Sequence, residues 1–506
     1  EVRVVDGFRV VECGDTNLVI ISVHCYREGD IGPYMVKPLE PDLRIVNGDA
    51  LVNLPEAPCD IFVAASADVG RVIRVFSRMP KPLPILYGGF FEDGLIWALV
   101  RAGYVKEGEL PSFIMPGQAY YWVRGDVVNP ALVGFVEEGE LAYLDALTLA
   151  YEQFLSMMNE FGGIKIPYIT AAKARDVYGS PQQAYIFNNL LRGFELTGDL
   201  RYLKGAVKAL ECYITQPPNC LGYIDLGNGL KWFRWGSRHF LSRNPEGWED
   251  LMVLNTHLMG VLSMAEASIR GICGWCLGEA RAGAEATVRL ANLYRRRDGY
   301  LFYSKYSRER MGEDEDDKYP PYRGYSLLSS RLAMKAGIYL NNEELYRLGK
   351  DACIMGYRRI MDGSWREFEG VARCLSIIQF KEGNVLDKLA NVLELASSRG
   401  VLINVKAYDV ETAIRGLYQP ATVTRGNVQL VYIGPVENYV ELAAYSADWA
   451  EVSVRPYNAP SGHGVAVRSI SIEPIDGEGA VNGNYVRFRG FIAIKVNEQV
   501  LKANVH

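Results

Sequence analysis

Two periodicities divide this chain. From Tyr178 to Leu210 apolar residues recur at helical spacing, at Leu190, Leu191 and Phe194 and then at Leu203, Ala206, Val207 and Leu210. Between the two runs stands Thr197-Gly198-Asp199. Gly198 can take the left-handed conformation that ends a helix, and Asp199 can cap the next by accepting from its free amides. The stretch predicts a helical hairpin. Leu141 to Asn159 predicts a long helix before it, and Leu327 to Met361 a second hairpin, with Gly337 and Asn341-Asn342 as the interruption. The stretches TGDLRYLKGA and NNEELYRLGKDA share this grammar, so the middle of the chain reads as repeated helix pairs. Such pairs stack as an open solenoid or close as an α/α toroid, and the long aromatic loops between them favour closure around a cleft.

The pattern differs on either side. Val2 to Val5, Phe8 to Val11 and Leu18 to Val23 read as short strands. Asp60 to Ala65, Asp68 to Phe76, Leu83 to Tyr87 and Asp93 to Ala102 read as strand, helix, strand, helix. That order predicts a small α/β domain with a parallel element. Gly88-Gly89 reads as a tight turn, since the longer glycine fingerprint of a nucleotide loop is missing. Past Val401, short β-branched runs separated by Gly, Pro and Asn predict an antiparallel β-sandwich. The expected fold class is therefore multidomain: an α/β domain over residues 1–110, an α/α toroid over 111–400 and a β-sandwich over 401–506.

Composition narrows the function. The net charge of -6 argues against a nucleic-acid surface, which needs clustered cations to neutralise phosphates. Arg295-Arg296-Arg297 fits a helix C-terminus, where cations meet the negative end of the dipole. No stretch approaches the roughly 18 apolar residues of a membrane span. The expectation is a soluble protein, cytoplasmic or secreted, with homo-oligomerisation open. Of nine cysteines only Cys273-Gly-Trp-Cys276 forms a close pair, read as buried structural thiols with a local disulfide as the alternative. No cofactor or metal is expected. The acidic run Glu313 to Asp317 offers oxygens for Ca²⁺ but lacks the ligand spacing and glycine of a calcium loop, and reads as a solvated loop.

Four stretches carry candidate chemistry: Asn129-Pro130, Tyr178-Gly-Ser-Pro-Gln-Gln-Ala184, Val253-Leu-Asn-Thr-His257, and Tyr306-Ser-Arg308 with Tyr325. In order and spacing they resemble the helical domain of the D-glucuronyl C5-epimerase family, over roughly residues 120–400. The resemblance implies a toroid that binds an acidic, uronic-acid-containing polysaccharide or oligosaccharide and inverts its C5 carbon. That reaction needs a base to take a proton, an acid to return one from the other face, and a cation to hold the substrate carboxylate. Tyr306, Tyr325 and Arg308 suit these roles, provided the arginine lowers the tyrosine pKa. The family's Glu-Tyr pair before the Val-Leu-Asn motif is missing, and Glu249 is a candidate for the carboxylate, with helix capping as its other reading. Tyr178, Gln182, Asn255, His257, His239 and Trp235 are the candidate substrate-binding residues. His257 can equally be a hydrogen-bonded core histidine, and Trp232, Trp235, Trp248 and Trp365 can stack on sugar rings or fill helix interfaces. A glycoside hydrolase or uronate lyase on the same scaffold, with two carboxylates flanking the bond, and a non-catalytic glycan-binding or scaffold protein are the alternatives.

Overall fold

The computed structural model describes residues 2–6, 8–13, 15–29, 32–39, 42–46, 49–53, 59–76, 119–120, 141–164, 166–170, 173–236, 252–305, 321–403, 421–433, 439–454 and 465–502. The chain forms two compact units, Glu1–Gln182 with Arg238–Arg243 and Gln183–Ser237 with Asn244–His506.

In the first unit, strands β1 (Val2–Val5), β2 (Phe8–Cys13), β3 (Thr16–Gly29), β4 (Gly32–Leu39), β7 (Cys59–Ser66) and β8 (Ala119–Tyr120) build one sheet. β5 (Asp42–Val46) and β6 (Asp49–Asn53) form a separate hairpin. Helix α1 (Val69–Phe76) packs on β3 and β7. Its start is fixed by Asp68, whose carboxylate accepts from Arg71 N at 2.9 Å. β7 pairs antiparallel with β3, from Asn17 opposite Ser66 to Cys25 opposite Cys59, while the strand expected to run parallel to it, residues 83–87, is not among the described residues. Residues 17–20 of β3 pair with β2 as well as with β7, so β7 takes the edge of β3 opposite β2. The later half of the expected alternation of strand and helix, residues 83–102, lies outside the described residues. Helix α2 (Leu141–Met157) and the hairpin of β9 (Ile166–Thr170) with β10 (Lys173–Val177) complete this unit.

The second unit is helix-rich. Its helices are α3 (Ser180–Thr197, beginning at the unit boundary), α4 (Leu200–Ile214), α5 (Leu254–Ile269), α6 (Cys276–Arg289), α7 (Ala291–Tyr294), α8 (Pro321–Leu340), α9 (Glu343–Met361), α10 (Phe368–Glu382) and α11 (Leu386–Ser398). The first hairpin follows its sequence: Gly198 has φ +73° and Asp199 accepts from Arg201 N at 2.8 Å. At the second, Asn341 takes φ +51° and the Asn342 side chain accepts from Leu345 N. Gly337 does not interrupt anything. It lies inside α8, where a Cβ would stand 2.6 Å from Tyr346 N, so its role is close approach of α9.

α5 is buried all round from Leu254 to Ala267, whereas α4, α6, α9 and α11 each bury one face. α8 packs on α5, α9 and α10, so successive hairpins stack side by side. The buried row runs in one direction. Near their N-termini α5 and α8 are bridged by Tyr303, which bonds Leu254 and meets Tyr325; near their C-termini Glu266 of α5 lies beside Lys335 of α8.

Strands β13 (Ala421–Arg425), β14 (Gln429–Ile433), β15 (Tyr439–Val454), β16 (Val465–Asn482) and β17 (Tyr485–Lys502) follow. Among the described residues they form one antiparallel sheet, not the two of a sandwich. Residues 447–449 of β15 and irregularities in β16 near Asp476 and Gly477 bend the strands. As a result Leu442 and Ala444 share a core with Ala450, Val452 and Val454 of the same strand. The other face, with Val431 and Ala443, packs on Leu389, Val392 and Leu393 of α11.

Cys273 and Cys276 are joined in a disulfide, which corrects their reading as free thiols, and Cys212 is joined to Cys220. The start of α6 at Cys276 folds the four-residue segment tightly enough to leave the Cα atoms 5.4 Å apart, within disulfide reach. Among the described residues no helix is long and apolar enough to cross a membrane.

Candidate functional site at the helix N-termini

The sequence motifs distribute unevenly. Tyr306, Arg308, Glu249 and His239 lie outside the described residues, as do Asn129-Pro130, Trp248 and the acidic run from Glu313. Tyr178 and Gln182 belong to the first unit. Tyr178 is buried, and its hydroxyl accepts from Asn159 Nδ2 at 2.9 Å, so one of its roles is to fasten the turn after α2. Gln182 is half-buried in the first turn of α3.

In the second unit Asn255 and Tyr325 come to the same end of the buried helix row. The chain from Leu301 to Lys305 lies across that end: Val253 bridges Ser304, Leu254 N donates to Tyr303 O at 3.0 Å, and Leu301 N donates to Ser326 Oγ at 3.0 Å. Tyr294 Oη donates to Met252 O at 2.7 Å and holds the entry to α5. The Tyr303 and Tyr325 rings stand 5.0 Å apart, tilted by 38°. Asn255 is 4% exposed, and no described group donates to its Oδ1. A buried carbonyl oxygen without a donor costs on the order of 1–3 kcal/mol, which marks a place for a water or a ligand hydroxyl. The α5 N-cap, Val253, has no capping side chain, so the positive end of the helix dipole is not masked by its own sequence.

Tyr325 departs from the expectation that its pKa is lowered. Burial raises it above the usual tyrosine value, so the phenol is neutral at ordinary pH. The position of Arg308, which was to lower it, is not among the described residues.

His257 belongs to the core and not to a cleft. It is fully buried; Nδ1 accepts from Phe233 N at 2.9 Å, which assigns the proton to Nε2, 3.1 Å from Gly283 O and 3.0 Å from Thr287 Oγ1. Trp232 stacks on it at 3.9 Å. Burial without a carboxylate partner pushes its pKa down to about 3. It therefore serves to anchor β12 (Lys231–Phe233) to α5 and α6, and it is corrected as a substrate ligand. Trp232 and Trp365 likewise fill interfaces, the latter 4.2 Å from Tyr300. Trp235 is half-buried just before the undescribed stretch that holds His239.

Sequence reasoning missed a second polar cluster, nearer the other end of the row. Glu266 is 3% exposed and ion-paired with Arg270 at 2.8 Å; Arg270 also pairs with Glu195, and the charges of Arg192 and Lys335 act on Glu266. Burial outweighs these cations and raises the Glu266 pKa. The signal was present, because Glu266 is the one Asp, Glu, Lys or Arg in the sixteen residues of α5. A groove of about 610 Å³ opens between α6 and the α8–α9 turn, lined by Leu230, Arg281, Leu340, Asn341 and Glu343, at the end opposite Tyr325. Among the described residues no three His, Cys, Asp or Glu side chains converge as a metal site.

No known family pattern matches the chain, and no curated protein matches it. Among solved structures it is similar to a cellobiose 2-epimerase from Bacillus thermoamylovorans B4167, at 13% identity and a TM-score of 0.38 over 55% of this chain and 74% of that one. It is also similar to a GH127 β-L-arabinofuranosidase from Geobacillus stearothermophilus T6, at 11% identity and a TM-score of 0.26 over 82% of this chain and 66% of that one. At these values neither likeness decides the fold or the chemistry of this chain.

Proposed function

We propose that the helix pairs close as an α/α toroid and that the chain is a carbohydrate-active protein, acting on a uronic-acid-containing glycan by proton removal and return at C5. The observation that carries this reading is the tyrosine pair laid over the uncapped start of α5, beside a buried acceptor with no described donor. Aromatic faces pack against sugar C–H groups, Asn255 Oδ1 accepts from a sugar hydroxyl, and a helix N-terminus favours a carboxylate. Tyr325, neutral through burial, is suited to return a proton and not to take one. Tyr306, one residue past the segment that crosses α5, is assigned the base, and Arg308 the carboxylate. Tyr178, Gln182, Trp235 and His239 are assigned to substrate binding, and Glu249 to the role of the missing family carboxylate.

Incubation with hexuronate glycans in D₂O tests the reading. Deuterium at C5 is expected, and Tyr325→Phe is expected to lower its incorporation at least about 100-fold. Absence of label and of epimer across the glycan panel removes the epimerase. The raised pKa of Tyr325 also favours a second reading, a glycan-binding protein in which this hydroxyl only donates a hydrogen bond. Glycan affinity without label in either protein selects it, and new reducing ends or unsaturated products select a hydrolase or lyase.

A further inference from the structure

Among the described residues of the second unit, two disulfides leave Cys353 of α9 and Cys374 of α10 as free thiols, both 0% exposed and both in the core shared by α8 to α11. They are not scattered within it. The Cys374 thiol acts on that of Cys353 and helps to raise its pKa, and Cys374 Sγ donates to Leu327 O of α8 at 3.8 Å. Each lies one helical turn from a glycine at the closest approach of the three helices. A Cβ on Gly356 would meet Leu327 at 3.0 Å and Val371 at 3.1 Å, and one on Gly370 would meet Leu327 at 2.8 Å. The nearest atoms at both glycines belong to side chains, so the glycines let side chains of the three helices interlock beside the thiols; the cross-link itself needs the two Cα atoms at roughly 4.4–6.8 Å.

We propose that Cys353 and Cys374 are an oxidation site that closes a third disulfide in the second unit, tying α9 to α10 behind the helix that carries Tyr325. The oxidant is a small disulfide of the glutathione class. One cysteine, as thiolate, attacks the oxidant and expels one small thiolate, leaving a mixed disulfide. The second cysteine loses its proton and attacks the protein sulfur of that mixed disulfide, expelling the second small thiolate. Two protein thiols are oxidised, one small disulfide is reduced to two thiols, and the two cysteine protons end on those thiols or in solvent. Burial keeps the Cys353 thiol protonated in the closed fold, so exchange belongs to folding or to opening of the α9–α10 pair. The second unit shows the same habit of pairing in Cys212 with Cys220 and Cys273 with Cys276.

The test uses the full chain, unfolded and reduced, then refolded in a mixture of oxidised and reduced glutathione. Remaining thiols are alkylated in denaturant, and the unreduced protein is digested and mapped by mass spectrometry. The expected result is a Cys353–Cys374 peptide pair, two hydrogens lighter than the sum of its parts, beside the Cys212–Cys220 pair as internal control. A companion Cys353→Ala/Cys374→Ala protein should show a smaller fall in melting temperature on adding reductant than the parent does. Recovery of both cysteines as alkylated peptides while Cys212–Cys220 is linked overturns the proposal, and so does either cysteine linked elsewhere. The mapping needs no variant to fold.

Discussion

His257, enclosed beneath Trp232 with both ring nitrogens hydrogen-bonded, stays neutral where an exposed histidine would titrate. Its folded pKa of about 3 lies below the ordinary 6.5, so between those values the unfolded chain binds the proton and the folded chain does not. The stability it contributes is complete above pH 6.5 and is lost as pH falls towards 3. From pH 7 to pH 5 that loss is about 2 kcal/mol. Urea unfolding at the two pH values should show this fall in the parent and a flatter response in His257→Gln. An equal response in both would remove the histidine from the acid sensitivity. Asn255 behaves differently, because no described group donates to its buried Oδ1, so the fold gains no hydrogen bond there. Asn255→Ala should change unfolding free energy by less than about 1 kcal/mol while weakening glycan binding roughly 10-fold. Titration calorimetry beside a thermal melt separates the two effects.

At the scale of elements, the α8–α9 contact depends on two glycines. A Cβ on Gly337 would stand 2.6 Å from Tyr346 N, and one on Gly349 would stand 2.3 Å from Ser330 O. Both obstacles are backbone atoms, which a rotamer change cannot move aside. Gly337→Ala and Gly349→Ala should each cost about 1–3 kcal/mol. Gly278 of α6 meets nothing within 4 Å, and Gly278→Ala should be neutral or gain up to about 1 kcal/mol. Denaturant midpoints in which all three behave alike would show that helix propensity, and not close approach, decides these sites. The caps work independently of this contact. Removing Asp199 or Asn342 by alanine should cost about 1 kcal/mol each, through the amides of Arg201 and Leu345.

For the whole molecule, the Cys212–Cys220 link closes a nine-residue loop between the end of α4 and the segment leading to β11 (Tyr223–Asp225). Cys212→Ala/Cys220→Ala should lose about 2–3 kcal/mol of stability and keep its helical circular dichroism, since the link restricts mainly the unfolded chain. The C-terminal sheet connects to the helices through the chain itself: Leu430 N donates to Ile403 O at 2.8 Å, and Ile403 N donates to the Gln429 side chain. Val431 and Ala443 bury against α11 on the same side. Loss of that packing explains why β13 to β17 read as a sandwich when their pattern is taken alone: both faces are apolar, but helices cover one of them.

What the sequence determined by itself is local. Helix periodicity, the Gly198-Asp199 stop and start and the Asn342 cap depend on contacts within a few residues, and these elements stand where the pattern put them, whereas the short strands expected at 439–442 and 452–454 are one strand, β15. Tyr325 and Asn255 were also legible as polar groups at motif positions, and both lie at the N-terminal end of the helix row. Tertiary structure alone decided the rest. β7 lies on the edge of β3 opposite β2, Gly337 is a packing site because α9 crosses there, and Cys273 reaches Cys276 because the chain turns into α6 at Cys276. It also decided chemistry: burial, which depends on the whole fold, raised the pKa of Tyr325 and lowered that of His257. A residue's type sets which proton it can hold, and the surrounding dielectric sets when it lets that proton go.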